Sequence, residues 1–415
     1  MAKQLLHQSP SQISPNYFND QSLIMAKKIS LYLIFLLLFS SMNATSVSNR
    51  IDKIMKTRYE NNTPGAGIMI LKGDSILMEE YYGLADLTTN EPITAQTRFN
   101  IASVSKQFTV VGALRLIEQG KISLDMPIAP YFPNYKEPFW NDIRLWHLMS
   151  HTSGLPDSRD RSDRNACVFA DDSVSMSYFP TVKQLQYTPG SFYDYKNPTF
   201  LLIAQIIEQC EGIKFIDYQK QHIFEPLGMS STTYFDPNAT IPHTAHAYIN
   251  VLSDSKSSTD KDSDGRPIGF TNTQSVTWQE YDYGEETFFA TRPDGGIYST
   301  LRDLAKWEKG LRENKIISET MLKIAYKPHI EVTGSKWSSY QNRENTFYGL
   351  GWFIDKTPGY PTKVYHTGDN GGFQAYLAKY PEKEITIIIL ENRNDNDRWS
   401  LATAIDKILK EEGYL

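Results

Sequence analysis

Only two cysteines, Cys167 and Cys210, occur in the 415 residues. So few exclude a disulfide framework, and their spacing fits no metal site, so neither a metal nor another cofactor is expected. One bond between them in an oxidising compartment stays open, because sequence does not say whether their Cα atoms come within bonding range. An excess of positive charge is also missing. Against 42 Lys and Arg stand 48 Asp and Glu, for a net charge of -6. The basic residues are scattered, so no nucleic-acid partner is expected.

A long hydrophobic run is absent as well. The apolar stretch Ile29 to Phe39 is too short to span a bilayer as a stable helix. It follows Lys27-Lys28 and precedes small and polar residues around Ser40, Ser41, Asn43 and Ala44, the order of a secretory signal. Met25 lies just before it and is the expected start, with residues 1–24 an over-extended reading frame. Residues 1–44 are therefore assigned to a signal region, and the chain is expected to be secreted or periplasmic, or anchored if the signal stays uncleaved. No cysteine directly follows the apolar run, which excludes a lipid-modified cysteine there.

What is present describes an ordinary globular chain, with 40% hydrophobic and 22% charged residues, enough for a large core. Its length allows two or three average domains, or one core with an inserted subdomain. The most informative local feature is Ser103-Val104-Ser105-Lys106. On a helix the i and i+3 side chains share a face, and a serine hydroxyl needs a nearby base to become a nucleophile. Val104, Phe108, Val111, Leu114 and Ile117 form an apolar stripe that stops at Gly120, which predicts a buried helix with Ser103 in its first turn. Two other Ser-x-x-Lys matches, Ser253/Lys256 and Ser258/Lys261, lie in or beside a polar run from Asp254 to Gly269 and are disqualified as buried nucleophiles. Within that run Asp260, Asp262, Asp264 and Gly265 imitate a calcium loop, but Thr271 stands where the bidentate glutamate belongs, so a solvated acidic loop is the reading.

Strand signals cluster at both ends of the chain. Ala66 to Leu71 and Ile76 to Tyr82 read as one hairpin, and Ala375 to Tyr380 and Ile385 to Leu390 as another. Helices are expected over Leu301 to Leu311 and from about Trp399 to Lys410. The expected fold class is α+β: an antiparallel sheet from the terminal segments, about 45–120 and 285–415, with a mostly helical insertion over about 121–284.

Two further elements carry candidate chemistry. In Tyr193-Asp194-Tyr195-Lys196-Asn197-Pro198, Asn197 and Pro198 fit the N-cap and N1 of a helix that ends at Gly212, so Asn197 either caps or serves a site. Tyr195 stands on the turn before it, where a rigid phenol can shuttle a proton. Near the C-terminus His366-Thr367-Gly368-Asp369 combines a strand with a glycine that lets a substrate backbone approach.

A Ser-x-x-Lys helix, then Tyr-x-Asn, then His-Thr-Gly, in that order, resembles class C β-lactamases and the related penicillin-binding proteins and esterases. Leu148 to Pro156, Pro226 to Met229 and Gly295 to Thr300 look like the same family, and the likeness covers about residues 50–410, inside a hydrolase domain placed at 45–415. The resemblance implies a serine hydrolase with a Ser103 acyl-enzyme, with Lys106 and Tyr195 sharing the proton transfers. It implies that Asn197 binds the substrate amide, and that the backbone amides of Ser103 and Asp369 form an oxyanion hole beside His366, Thr367 and Gly368. The expected partner is a small ester, peptide or β-lactam.

One departure tilts the choice among those substrates. β-Lactamases of this type usually carry Lys where this chain has His366, and no Lys-Thr-Gly occurs. A neutral imidazole suits a substrate carboxylate less well than an ammonium, which favours an esterase or D-amino-acid peptidase over antibiotic hydrolysis. A true β-lactamase, a penicillin-binding module with stable acylation and a silent scaffold remain the alternatives. His151 tempts a Ser-His reading, but without a Gly-x-Ser-x-Gly elbow it is read as structural, fixing a turn.

Overall fold

The computed structural model describes residues 46–157, 172–236, 238–252, 276–280, 291–332, 345–394 and 398–415. The signal region with Met25, Cys167 and the Asp260 loop lie outside them. Cys210 is half-buried, with its Sγ 3.8 Å from the Tyr131 hydroxyl.

Both hairpins read from the sequence meet at the centre of one antiparallel sheet. Its strands are β1 (Ala66–Lys72), β2 (Ser75–Tyr82), β3 (Ile330–Glu331), β4 (Thr346–Tyr348), β5 (Phe353–Asp355), β6 (Lys363–Asn370), β7 (Phe373–Tyr380) and β8 (Ile385–Glu391). Their spatial order is β3-β4-β5-β6-β7-β8-β1-β2. The join between the chain ends is β1 against β8, registered Ala66↔Glu391 through Lys72↔Ile385. Every residue of β8 is buried, so this sheet is covered on both faces. Ile385, Ile387 and Ile389 pack with the terminal helices α1 (46–58) and α5 (Arg398–Glu411), while Ile388 and Leu390 belong to the core on the other face. Alternation by two sends successive isoleucines to opposite sides, each contributing about 1.5–3 kcal/mol of burial.

On that second face lie α2 (Ser105–Glu118), α3 (Thr199–Glu211) and α4 (Leu301–Arg312). α2 is buried nearly all round, and its Phe108 stacks on Trp307 of α4 with ring centroids 4.0 Å apart. It ends as the sequence predicts: Gly120 has φ +71, and Lys121 N donates back to Leu116 O at 3.0 Å. One boundary differs from expectation. The α-helix begins at Ser105, and Ser103 sits in a single 3₁₀ turn, Ala102–Val104, that leads into it. The tighter turn keeps i and i+3 on one face, so Ser103 and Lys106 still converge.

Candidate active site

The turn that carries Ser103 is pinned from several sides. Asn100 Oδ1 accepts from Ala102 N at 2.8 Å, and Ile101 N donates to Ile297 O at 2.9 Å. Ala102 is held at φ +44, a left-handed conformation that costs a non-glycine residue about 1–3 kcal/mol and here immediately precedes Ser103. Strand β6 abuts the same turn: a Cβ on Gly368 would lie 2.2 Å from Ile101 O, so only glycine lets the two backbones approach this closely.

Lys106 is fully buried, and its Nζ is surrounded by oxygen. It donates to Ser103 Oγ at 2.9 Å, to Asn197 Oδ1 at 2.6 Å and to the backbone oxygen of Asp294 at 2.9 Å. The Asp294 carboxylate lies 3.9 Å away. An ammonium has three N–H donors, and three acceptors stand around this one. The rings of Tyr195 and Phe200 complete the enclosure, 4.9 and 5.4 Å from Nζ. Asn197 therefore does not cap α3. Pro198 occupies the cap position, with no side-chain cap bond, and the Asn197 amide turns to Lys106 instead.

Tyr195 is buried and bracketed by His151. The His151 carbonyl accepts from Asp194 N at 2.9 Å, and its Nδ1 accepts from Lys196 N at 3.1 Å. The imidazole also lies 4.1 Å from the Tyr195 ring, centroid to centroid. Because Nδ1 accepts, the proton sits on Nε2 and the ring is neutral. Burial, aided by the Lys106 charge, holds the His151 pKa well below its usual range. His151 itself has φ +58, a conformation it adopts at the turn that the sequence reading assigned to it. Lys196 is paired with Asp194 at 2.9 Å, both buried.

His366 lies in mid-strand rather than at an open end, and it is fully buried. Its Nδ1 stands 2.6 Å from Thr367 O and must donate, since a carbonyl only accepts. Its Nε2 then accepts from the Tyr348 hydroxyl at 3.1 Å. Burial first, and the Lys106 charge second, push its pKa down to about 3. Its ring is 6.2 Å from that of Tyr195. Next along β6, Thr367 is buried, Gly368 abuts the Ser103 turn, and Asp369 is gripped by Arg398 of α5, which donates to both carboxylate oxygens at 3.0 and 2.8 Å. Arg398 also donates to Gly368 O at 2.9 Å.

Ser103, Lys106, Asn197 and Tyr195 thus gather as the motifs imply, with His366 behind Tyr195 and Gly368 behind Ser103. Sequence reasoning did not find Asp294 or Arg398, and it gave His151 no part beside Tyr195. Asp294 precedes Gly295-Gly296, and Arg398 starts a helix. Neither sits in a spacing that marks chemistry, because their role depends on which distant element they meet.

A family model described as Beta-lactamase matches residues 47–410. A penicillin-binding protein of Bacillus subtilis (strain 168) is 24% identical over 364 residues, covering 85% of this chain and 73% of that protein. A beta-lactamase of Escherichia coli (strain K12) is 25% identical over 348 residues, covering 75% and 80%. The crystal structure of a penicillin-binding protein from Bacillus halodurans superposes with a TM-score of 0.69 at 23% identity, covering 86% and 98%. That of D-amino acid amidase from Ochrobactrum anthropi SV3, complexed with L-phenylalanine amide, gives 0.67 at 22% identity, covering 88% and 98%. These two structures share the fold.

Proposed function

The chain belongs to the beta-lactamase family, and from that premise we propose that it is a secreted serine hydrolase that cleaves a small ester, or a D-amino-acid peptide or amide, through an acyl-enzyme on Ser103. The observation that carries the reading is the Lys106 ammonium at 2.9 Å from Ser103 Oγ. With all three N–H bonds directed at oxygens, the Lys106 ammonium has no lone pair to accept a proton, so the Ser103 proton goes to Tyr195, which acts as a phenolate beside that ammonium. Ser103 Oγ attacks the carbonyl carbon, and the electron pair of the C=O bond moves to oxygen. Tyr195 then passes the proton to the leaving alcohol or amine as its bond to carbon breaks. The resulting Tyr195 phenolate deprotonates a water that attacks the acyl carbon, and the proton returns to Ser103 Oγ as the ester bond breaks.

The oxyanion falls to the amides of Ser103 and Asp369. Asn370 pairs with Phe373 across a two-residue turn, and alternation along an antiparallel ladder then directs the Asp369 N–H away from β7. In this reading Asn197 holds the substrate amide while anchoring Lys106, and His366, Thr367 and Gly368 form the wall beneath the carbonyl. The neutral, buried His366 supports a preference for substrates without a carboxylate beside the scissile bond. Residues 1–44 act as the export signal of a hydrolase domain at 45–415, which sequencing the N-terminus of the exported protein tests.

The reading is tested by assaying wild type and Ser103→Ala against short-chain nitrophenyl esters, D-amino-acid peptides and amides, and a chromogenic cephalosporin. Clear ester or amide turnover with slow cephalosporin hydrolysis, all abolished in Ser103→Ala, is the expected result. Fast cephalosporin turnover makes it a β-lactamase. The curated penicillin-binding relative favours one further reading, separated by intact mass: a stable penicillin adduct on Ser103 marks a binding module, and no labelling by any acylating probe marks a scaffold.

A further inference from the structure

We infer that Asp294 is the buried counter-ion of Lys106 and sets the alkaline limit of the enzyme's activity, a step that rests on the nucleophile assignment above. Asp294 meets the ammonium twice, through its backbone oxygen at 2.9 Å and through its carboxylate at 3.9 Å. Both side chains are buried, 0% exposed for Lys106 and 6% for Asp294, so water screens the pair little.

The backbone that carries the carboxylate is also held in place. Its short helix, Arg292–Gly295, is tied to α2 by Thr109 Oγ1 donating to Pro293 O at 2.6 Å. Just beyond, Ile297 N donates to Ser105 Oγ at 3.2 Å. Bonds on both sides of Asp294 thus run to the helix that carries Lys106, so its backbone cannot withdraw from that helix without breaking them.

Among the described residues, the other charges near this centre are matched or neutral. Lys196 has Asp194, Arg292 has Asp172 at 3.5 Å, and Arg398 has Asp369. His151 and His366 are uncharged, each with a pKa lowered partly by the Lys106 charge itself. Burial raises the Tyr234 hydroxyl, beyond Thr109, well above its usual range, so it stays protonated. Tyr195 faces Lys106 directly and draws on the same positive charge.

Burial alone drives a lysine toward its neutral form, while a carboxylate at this distance shifts a pKa by about one to three units toward the charged form. Protonated Lys106 is the form that donates to Ser103 and favours the Tyr195 phenolate. Asp294 raises the pKa of that form, so activity persists to higher pH and is lost as pH climbs through the raised value. Asp294→Asn keeps the shape and removes the charge, moving the alkaline limb down.

The test follows the rate at which a fluorophosphonate labels Ser103, from neutral to alkaline pH, in wild type and Asp294→Asn. The alkaline limb of the variant is expected about one to three pH units lower. An unchanged limb in a folded variant overturns the inference. If the variant does not fold, the 15N-lysine NMR titration of the wild-type chain decides, with Lys106→Arg supplying the assignment. A fully buried lysine without a counter-ion loses its proton at least about three units below the ordinary value of about 10.4, so loss above about 7.4 supports the counter-ion and loss below it overturns it. If wild type is never labelled while that titration stays high, the hydrolase reading fails and the ion pair stands.

Discussion

Asn197 Oδ1 accepts a hydrogen bond from Lys106 Nζ at 2.6 Å across 91 positions of sequence. Removing that acceptor leaves one donor of a buried ammonium unpaired, a loss of about 1–3 kcal/mol. Asn197→Ala is therefore expected to lower kcat/KM about ten- to a hundred-fold, since Lys106 is freed to drift from Ser103. Steady-state kinetics on the ester substrate checks this, and an unchanged kcat/KM would remove Asn197 from the site.

His151 is expected to act through Tyr195. His151→Asn keeps an acceptor for the Lys196 amide but loses the ring against Tyr195, whereas His151→Phe keeps a ring and loses the acceptor. Both should lower kcat more than they raise KM, and both should move the acid limb of the pH profile by changing the surroundings of the phenol. A purely structural histidine would lower the melting temperature and leave that limb where it was.

The two buried imidazoles make stability depend on pH. His366 is neutral in the folded chain down to about 3, whereas an exposed imidazole takes up its proton near 6.5. Unfolding below that value binds protons, so the contribution is fully present above about 6.5 and shrinks as pH falls toward the folded value, by up to about 1.4 kcal/mol per pH unit per imidazole. Denaturant unfolding of wild type and His366→Gln at neutral pH and at about pH 4.5 measures it, with the wild-type loss expected to be the larger. Equal losses would place the proton elsewhere.

Gly368→Ala should damage the nucleophile without touching it. The added methyl meets Ile101 O at 2.2 Å and Ala102 Cβ at 3.0 Å, contacts that require β6 or the Ser103 turn to shift. Ser103 labelling is expected to slow at least about ten-fold, with a stability loss of about 1–3 kcal/mol. Wild-type labelling rates in this variant would show that the contact is slack.

Much of this was legible in the residues. The two hairpins announce themselves through runs of Ile, Leu and Tyr bounded by Lys72-Gly73-Asp74-Ser75 and Pro381-Glu382-Lys383-Glu384, and they form within a residue or two of the predicted limits. Both signals are local, a period of two and a turn, so they survive reading one chain segment at a time. The Asn197-Pro198 dipeptide left two readings open for the same reason. Locally it fits a cap, but an ammonium from another helix competes for the same oxygen and wins.

By itself the sequence determined that Ser103 and Lys106 meet, because three residues along a helical turn bring their side chains together whatever surrounds them. It also determined the class of fold, through strands at both ends and helices between. Only the tertiary structure decided the charge state of the centre. Asp294, His151 and His366 come from separate elements, and whether each is charged depends on how much water and which neighbours packing leaves beside it.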